Sequence, residues 1–442
     1  MNDMFSPHLK VALDSDEAYA STLDLLLTKG VDVRLGDSKS TGSGKLTKEL
    51  LNFKVVLENP RERFIKNPNR MLNLPAAVAR FIWMMAGSDR LADIAFYEPK
   101  VRFFTDDGIS VPGSSYGQRI LQPRPGLNQF LAVVDRLKED HASRRAAIAI
   151  YHPEDSVRNS VDIPCAFGVF YHIRNNLLYS TTLMRSNNAH ILMPYNLFEF
   201  SLLAEVVASE VGVNLGPLTH SVISMHIYEN DFESSKKVIE GFKAIDSSKF
   251  PNIPEMPQGG AIEEIRKLVI LEARLRHASG GIGENNIDQW IQEGENSLTS
   301  YWRQFYFLLL LFVVRQNGSQ GAIDAIKTVI DAPWKNYLQP HDFILKSDEK
   351  RGDLSILELP AASSPKIIPF QNSRTHDALK KAVETWELKN GSVSWKEFTE
   401  LETLYLNEIA ARGDRDEIHE EELSLRLTSI RMPKEEFKLD GN

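Results

Sequence analysis

Cys165 is the only cysteine of the chain. It follows Pro164 and precedes a run in which Phe167, Val169, Tyr171 and Ile173 alternate with other residues. That period of two marks a half-buried strand, and a thiol at its mouth can be held rigidly over a cavity. Arg185 and Ser186 close a second strand-like run, 178–184, and Asn196 follows the turn Met193-Pro194-Tyr195. His226 and Tyr228 alternate on a third strand, 222–228, so both point to one side of it. A thiol is a potential nucleophile, and guanidinium and hydroxyl groups hold phosphate. An amide reads a base edge, and His with Tyr suits a sugar hydroxyl. Together they fit a ligand with a phosphate, a hydroxylated sugar and an amide-edged base. A buried structural cysteine and an asparagine capping a helix would leave the same letters.

The elements that must position these groups follow from periodicity. Helices are expected at 14–29, capped by Asp14 or Ser15 and ended at Gly30, and at 74–86, 127–139, 196–210 and 231–245. Strands are expected at 50–57 and 146–151, with 101–112 a loop. The small-residue loop Ser38 to Lys45 invites a phosphate-loop assignment. However, Lys39 and Leu46 stand where the Walker pattern needs Gly and Ser or Thr. A surface turn remains equally open there.

In order and spacing, Pro164-Cys165, Arg185-Ser186, Pro194-Tyr195-Asn196 and His226-Ile227-Tyr228 resemble the thymidylate synthase family, including its pyrimidine nucleotide hydroxymethylases. Tyr116-Gly117 and Ser143-Arg144-Arg145 match upstream, and the resemblance covers about 14–257. It implies an α/β (α+β) fold with a large mixed sheet and packed helices, pairing sheet to sheet in a homodimer with shared active sites. In the family the thiolate adds to C6 of a pyrimidine nucleoside monophosphate. The C5 carbon then accepts a one-carbon unit from 5,10-methylenetetrahydrofolate. The resemblance gives Cys165, Tyr116 and Arg185 catalytic roles, with Arg185 as the charge that lowers the thiol pKa. Arg144, Arg145, Arg185 and Ser186 would hold phosphate, the first two across the dimer. His226 and Tyr228 would hold the sugar 3′-hydroxyl. Asn196 would read the base, favouring uracil because the cytosine-specific relatives place Asp there. Asn188 would meet the pterin. No metal is expected.

The departures cluster on the folate and proton-transfer side. Arg80 occupies the position of a family glutamate, and a guanidinium cannot exchange a proton near neutral pH. Asn188 replaces an aspartate, Ala166 a histidine and Met184 a glutamine. Residues 222–225 replace a Gly-Gly-Asp-like turn, and Ser40 stands where the phosphate loop carries arginine. Two functions are therefore weighed. One is a C5 methyl- or hydroxymethyltransferase. The other is a nucleotide-binding protein without catalysis that engages a partner through its C-terminal extension.

Composition bounds the rest. The chain has 442 residues, 42% hydrophobic and 25% charged, with net charge −9, ordinary for a globular protein. Lys and Arg are scattered, which argues against nucleic acid as a partner. The N-terminus lacks the features of a signal peptide, so cytoplasmic localisation is expected. The apolar run near 305–314 is about half the roughly 20 residues needed to span a bilayer, so a buried helix is expected there and no membrane association. Two domains are expected, 1–258 resembling the family and 259–442 an all-α extension. The extension's helical segments fall at 262–277, 287–316, 322–330, 378–386, 395–411 and 418–431, with a linker at 335–372.

Overall fold

The computed structural model describes residues 8–36, 44–70, 72–124, 126–246, 249–250 and 252–338. The chain divides into two compact units, Met1–Glu349 and Lys350–Asn442, and every described residue lies in the first. The helices expected at 378–386, 395–411 and 418–431, the linker beyond 338 and most of the small-residue loop (38–43) lie outside the described residues.

In chain order the elements are β1 (His8–Ala12), α1 (Ser15–Lys29), β2 (Val31–Arg34), β3 (Leu46–Leu57), α2 (Leu74–Met85), α3 (Leu91–Ala95), α4 (Tyr116–Leu121) and α5 (Gln129–Glu139). There follow β4 (Ala147–Ala149), β5 (Ala166–Arg174), β6 (Leu177–Asn188), α6 (Met193–Val211), β7 (Asn214–Tyr228) and α7 (Phe232–Lys243). The described chain ends in helices α8 (Ala261–Ala278), α9 (Ile287–Ser297), α10 (Ser300–Gln316), α11 (Gln320–Val329) and α12 (Ala332–Leu338). The strands form one seven-stranded sheet in the order β1-β3-β7-β6-β5-β4, with β2 paired to β3. The β1/β3 and β6/β7 pairs are parallel and the others antiparallel, so the sheet is mixed and the fold is α/β.

Helices cover one face of this sheet, α1 against β3, α6 against β6 and β7, and α5 against β4. Helix α6 is central and buried on nearly every side. On the opposite face Leu9, Val11, Phe167, Phe170, Tyr179 and Ile223 are exposed.

Three neighbouring strands change phase at one level. Burial alternates along β3 from Phe53 to Leu57 but is three residues out between Leu50 and Phe53; on β6 it breaks between Met184 and Asn187, and on β7 between Val222 and Met225. These residues are cross-strand partners, Phe53 with Val222 with Met184, and Leu50 with Met225 with Asn187. The residues skipped are Asn52, held at φ +56°, Arg185 and Ile223. The shift turns Asn187 toward the helices. It leaves Ser186, Ser224 and His226 on the other face, since side chains alternate on a strand.

Several boundaries differ from the sequence expectation, each for a tertiary reason. Strand β3 begins at Leu46 rather than 50 because β2 and β7 pair with its first half. A 3₁₀ helix over Pro99–Phe104 overlaps the start of the loop expected at 101–112. The helix expected over 287–316 is two helices. Glu264 of α8 accepts both the Thr299 N–H (2.7 Å) and its hydroxyl (2.9 Å), pinning a turn between them. Residues 332–338, partly assigned to the linker, form α12, where Trp334 and Tyr337 pack on Phe64 at ring separations of 5.3 and 5.0 Å.

The family-like region and the helices after it share one core. Helices α8 and α10 pack on α2, and α8 packs on α6. Arg63, fully buried, donates to Glu205 of α6 (2.5 Å), which also accepts from Tyr301 of α10 (3.3 Å). The Tyr337 hydroxyl donates to Glu62 (2.6 Å). Packing therefore continues across 258, where a domain boundary is expected from the sequence. The apolar stretch at 305–314 is buried within α10. Among the described residues no helix is long and apolar enough to cross a membrane.

Candidate functional site

Cys165 is half-buried immediately before β5, and its carbonyl accepts the Arg185 N–H (2.8 Å). The Arg185 guanidinium turns back over the same loop, donating to the carbonyls of Pro164 (2.9 Å) and Ile163 (2.9 Å). Its charge is thus held beside the thiol by backbone. Burial is nevertheless the larger influence and pushes the Cys165 pKa up; Arg185 pulls it down and Asp162 opposes Arg185. Arg185 thus acts on the thiol in the expected direction, but desolvation disfavours the thiolate more than one guanidinium on the protein surface favours it, so the net shift is upward.

Asp162 fixes the segment leading to α4. Its carboxylate accepts from the Gly113 N–H (2.6 Å) and the Ser114 hydroxyl (2.6 Å). Tyr116, at the start of α4, is buried and stacks on Phe200 at 5.8 Å and 17°. Burial and the nearby Cys165 push the Tyr116 pKa up, while a backbone hydrogen bond at Ala166 works against them. The adjacent Gly117 lets α4 approach α2, since a Cβ there would lie 2.0 Å from the Met84 carbonyl oxygen. The structure so brings Cys165, Arg185 and Tyr116 together.

A second polar group lies on the helix side of the sheet. Asn196, 4% exposed, accepts from Asn187 Nδ2 (2.9 Å). Asn187 Nδ2 also meets His220 Nε2 (3.2 Å), and His220 Nδ1 meets the Thr182 hydroxyl (2.7 Å). Burial lowers the His220 pKa to about 4, so the imidazole is neutral. One turn after Asn196, Glu199 is buried and ion-paired with Arg80 of α2, which also binds Glu98 (3.0 Å). Burial raises the Glu199 pKa, while Arg80 and a hydrogen bond from the Asn196 side chain hold it back. Arg80 of α2 is thus met by a buried carboxylate supplied from α6.

The third group faces the other side of the sheet. Ser186 and His226 Nδ1 are 3.4 Å apart, and His226 packs edge-on to Tyr228 at 5.3 Å and 88°. Ser224 donates to Glu49, the cross-strand partner of His226. Burial lowers the His226 pKa, with the Ser224 backbone and Glu49 acting against it and Arg185 adding to it. The Lys45 ammonium lies 5.8 Å from the Tyr228 ring.

Arg144 and Arg145 are not brought to Cys165 within one chain. Both are exposed just before β4, the last strand in the sheet order, with β5 between it and β6. Asn188 is buried, and its Oδ1 accepts the Ile191 N–H (2.9 Å) at the turn into α6. Among the described residues, no group of three or more His, Cys, Asp or Glu side chains could hold a metal ion. A cavity of about 410 Å³ lies elsewhere, lined by Arg119, Arg124, His152 and Arg158 among others; it does not include Cys165. Its Arg119 is engaged with Asp155 and with the carbonyls of Pro112 and Ile150.

Asn187, Glu199, Glu98 and His220 were not singled out from sequence. For Glu199 a signal existed: it is a charged residue inside the apolar run 193–208, three residues after Asn196. A buried charge on such a helix needs a partner.

The sequence model of the family described as thymidylate synthase matches residues 17–254, just over half of the chain. The chain belongs to the thymidylate synthase family. It is 29% identical over 227 residues to a protein of Methanothermobacter marburgensis named "Putative thymidylate synthase", covering 51% of this chain and 94% of that one. It is 26% identical over 262 residues to the deoxyuridylate hydroxymethyltransferase of Bacillus phage SP01, covering 57% of this chain and 65% of the phage protein. A protein of Methanosarcina mazei with the same name as the first is 31% identical over 199 residues, 45% of this chain and 82% of that one.

Proposed function

We propose that this protein transfers a one-carbon unit to C5 of a uracil nucleoside monophosphate through a covalent bond between Cys165 and C6 of the base. The observation that carries the proposal is that the Arg185 guanidinium is held on the carbonyls of Ile163 and Pro164 next to the sole thiol, with Tyr116 close enough to interact with it. In the proposed reaction the Cys165 thiolate bonds to C6, and the C5=C6 electron pair moves toward C5, which becomes nucleophilic; once C5 has bonded to the one-carbon unit it loses its proton, and the Cys165–C6 bond breaks to return the thiolate and restore the ring double bond. This divides one difficult substitution into two easier steps. Arg185 and Ser186 hold phosphate and His226 with Tyr228 holds the sugar. Asn196 offers the base edge one donor and one acceptor. Tyr116 belongs to the hydrogen-bonded wall beside the nucleophile.

The proposed donor is 5,10-methylenetetrahydrofolate, which supplies the one-carbon unit. Asn188 Oδ1 is bound to the Ile191 N–H, so its amide nitrogen is the group that would meet a pterin. The apolar sheet face and the exposed Arg144-Arg145 pair fit a homodimer in which these arginines reach the partner's phosphate.

Two points favour the alternative of nucleotide binding without catalysis, with a partner engaged through the helical extension. The resemblance puts Arg80 in place of the family glutamate, and burial raises the thiol pKa. Tritium release from 5-tritiated dUMP, dCMP, UMP and CMP separates the two. The transferase reading expects release from a uracil nucleotide, lost in Cys165→Ala with binding retained. Measurable nucleotide binding with no release from any of the four, folate present, would refute it.

A further inference from the structure

We propose that Glu49 reads the sugar: its carboxylate accepts the 2′-hydroxyl of a ribose, so the preferred ligand is a ribonucleoside rather than a deoxyribonucleoside monophosphate. The proposal rests on the reading above that His226 and Tyr228 hold the sugar. Glu49 is then a specificity-determining residue of that same site.

Glu49 reaches the site through the change of phase in β3. Phe53, Val55 and Leu57 face the helices, and unbroken alternation would turn Glu49 toward them as well. The shift at Asn52, held at φ +56°, turns Leu50 inward instead and puts Glu49 on the opposite face. That is the face of Ser186, Ser224, His226 and Tyr228, and all of these residues are half-buried. Register sets their order. Ser186 of β6 pairs with Ser224 of β7, and His226 of β7 pairs with Glu49 of β3. Side chains directly opposite on an antiparallel pair start about 5 Å apart, so His226 and Glu49 flank one narrow place.

The hydrogen bonds leave an unused acceptor and an unused ring nitrogen there. Ser224 donates its hydroxyl to Glu49 Oε1, which fixes the carboxylate. Glu49 Oε2 has no hydrogen bond or ion pair among the described residues. His226 meets Ser186 through Nδ1 at 3.4 Å, and its Nε2 has no hydrogen-bond partner among the described residues. A carboxylate only accepts, so whatever occupies Oε2 must donate.

The chemistry of the ligand narrows the choice. A carboxylate beside a phosphate ligand repels it, so its presence calls for a compensating bond. On the sugar of a nucleoside monophosphate only hydroxyls donate. Across the sheet from β6 through β7 to β3, the groups run from the phosphate contacts Arg185 and Ser186, to the 3′-hydroxyl contacts His226 and Tyr228, to Glu49. Along the sugar, the position beyond the 3′ carbon on the side away from the phosphate-bearing C5′ is the 2′ carbon. In ribose its hydroxyl is the cis neighbour of the 3′-hydroxyl, so a 3′ oxygen held on β7 brings the 2′ oxygen toward the adjacent strand. Acidic side chains read ribose hydroxyls in dinucleotide-binding folds by the same chemistry. Deoxyribose has no donor at that carbon and leaves Oε2 unpaired.

Calorimetric affinities on the full chain test this through the ratio of UMP to dUMP, repeated with CMP and dCMP so that the result does not depend on the base. The wild type is expected to bind the ribonucleotide of its preferred base about ten- to a hundredfold more tightly than the deoxyribonucleotide. Glu49→Leu should bring the two affinities together, with the loss falling on the ribonucleotide; retained deoxyribonucleotide binding shows that the fold survives. Glu49→Gln keeps the shape of the side chain and should narrow the ratio in the same direction, so it carries the test if the leucine variant does not fold. A wild type that binds both sugars alike or prefers the deoxyribonucleotide overturns the inference, as does a ratio that neither variant changes. The sugar reading stands in those cases if His226→Ala weakens both nucleotides. If His226→Ala leaves the affinities unchanged, the sugar reading fails and the inference with it.

Discussion

Replacing Arg80 by methionine probes the ion pair on which the helix-side cluster is built. Glu199 is 3% exposed and the Arg80 side chain 12%. Removing one partner of a buried pair costs about 3–5 kcal/mol, because the remaining charge is left uncompensated. The second contact of Arg80, to the more exposed Glu98, adds less than about 1 kcal/mol. Methionine retains most of the apolar stem that passes over the Tyr195 ring, so lost packing adds little. The expected cost at pH 8 is therefore about 3–6 kcal/mol.

The same variant should show a pH signature. Burial already raises the Glu199 pKa with Arg80 present, and its loss raises it further. A carboxyl whose folded pKa exceeds its unfolded value of about 4.3 destabilises the fold increasingly as pH rises above that value. The penalty is accordingly greatest at pH 8 and shrinks as pH falls through the raised folded pKa. Adding Glu199→Gln to Arg80→Met removes the stranded charge and should recover about 2 kcal/mol at pH 8. Urea unfolding at pH 8 and pH 5.5 reads all three quantities. A cost below about 1 kcal/mol at both pH values would refute the view that Arg80 neutralises a buried carboxylate.

Two further expectations follow. Because Cys165 is the sole cysteine, its alkylation rate by iodoacetamide reports one group. The rate should rise with pH through an inflection above that of a free thiol, and Arg185→Met should move the inflection higher still, since the one nearby positive influence is lost; an unshifted inflection would show that Arg185 does not act on the sulfur. A chain ended at residue 258 should be aggregated or unfolded by circular dichroism and gel filtration. It would expose the α2 and α6 surfaces that α8 and α10 cover and lose the Tyr301 contact to Glu205; a monodisperse folded fragment would contradict the shared core.

The parts of the fold legible in the sequence are those set by local pattern. The alternation after Cys165 gives β5, and the apolar run after Asn196 gives α6. Asp14 caps α1 by accepting the Glu17 N–H, and α1 ends at Gly30, as the sequence indicates. What is not legible depends on partners remote in the chain. Arg80 and Glu199 are 119 positions apart, so the residue that departs from the family pattern gives no hint of its carboxylate. The break at Thr299 depends on Glu264, and α12 depends on Phe64. The shift at Asn52, Arg185 and Ile223 has no mark in any single strand, because it arises from three strands in register.

The covalent bond between Cys165 and the base is tested most directly by intact-mass measurement with a 5-fluorinated uracil nucleoside monophosphate and methylenetetrahydrofolate. Fluorine at C5 cannot leave as a proton does, so the adduct should persist. Wild-type protein should gain the combined mass of the nucleotide and the methylenetetrahydrofolate at Cys165, and Cys165→Ala should gain nothing. A nucleotide that binds without any mass gain, or an equal gain in Cys165→Ala, would contradict the account.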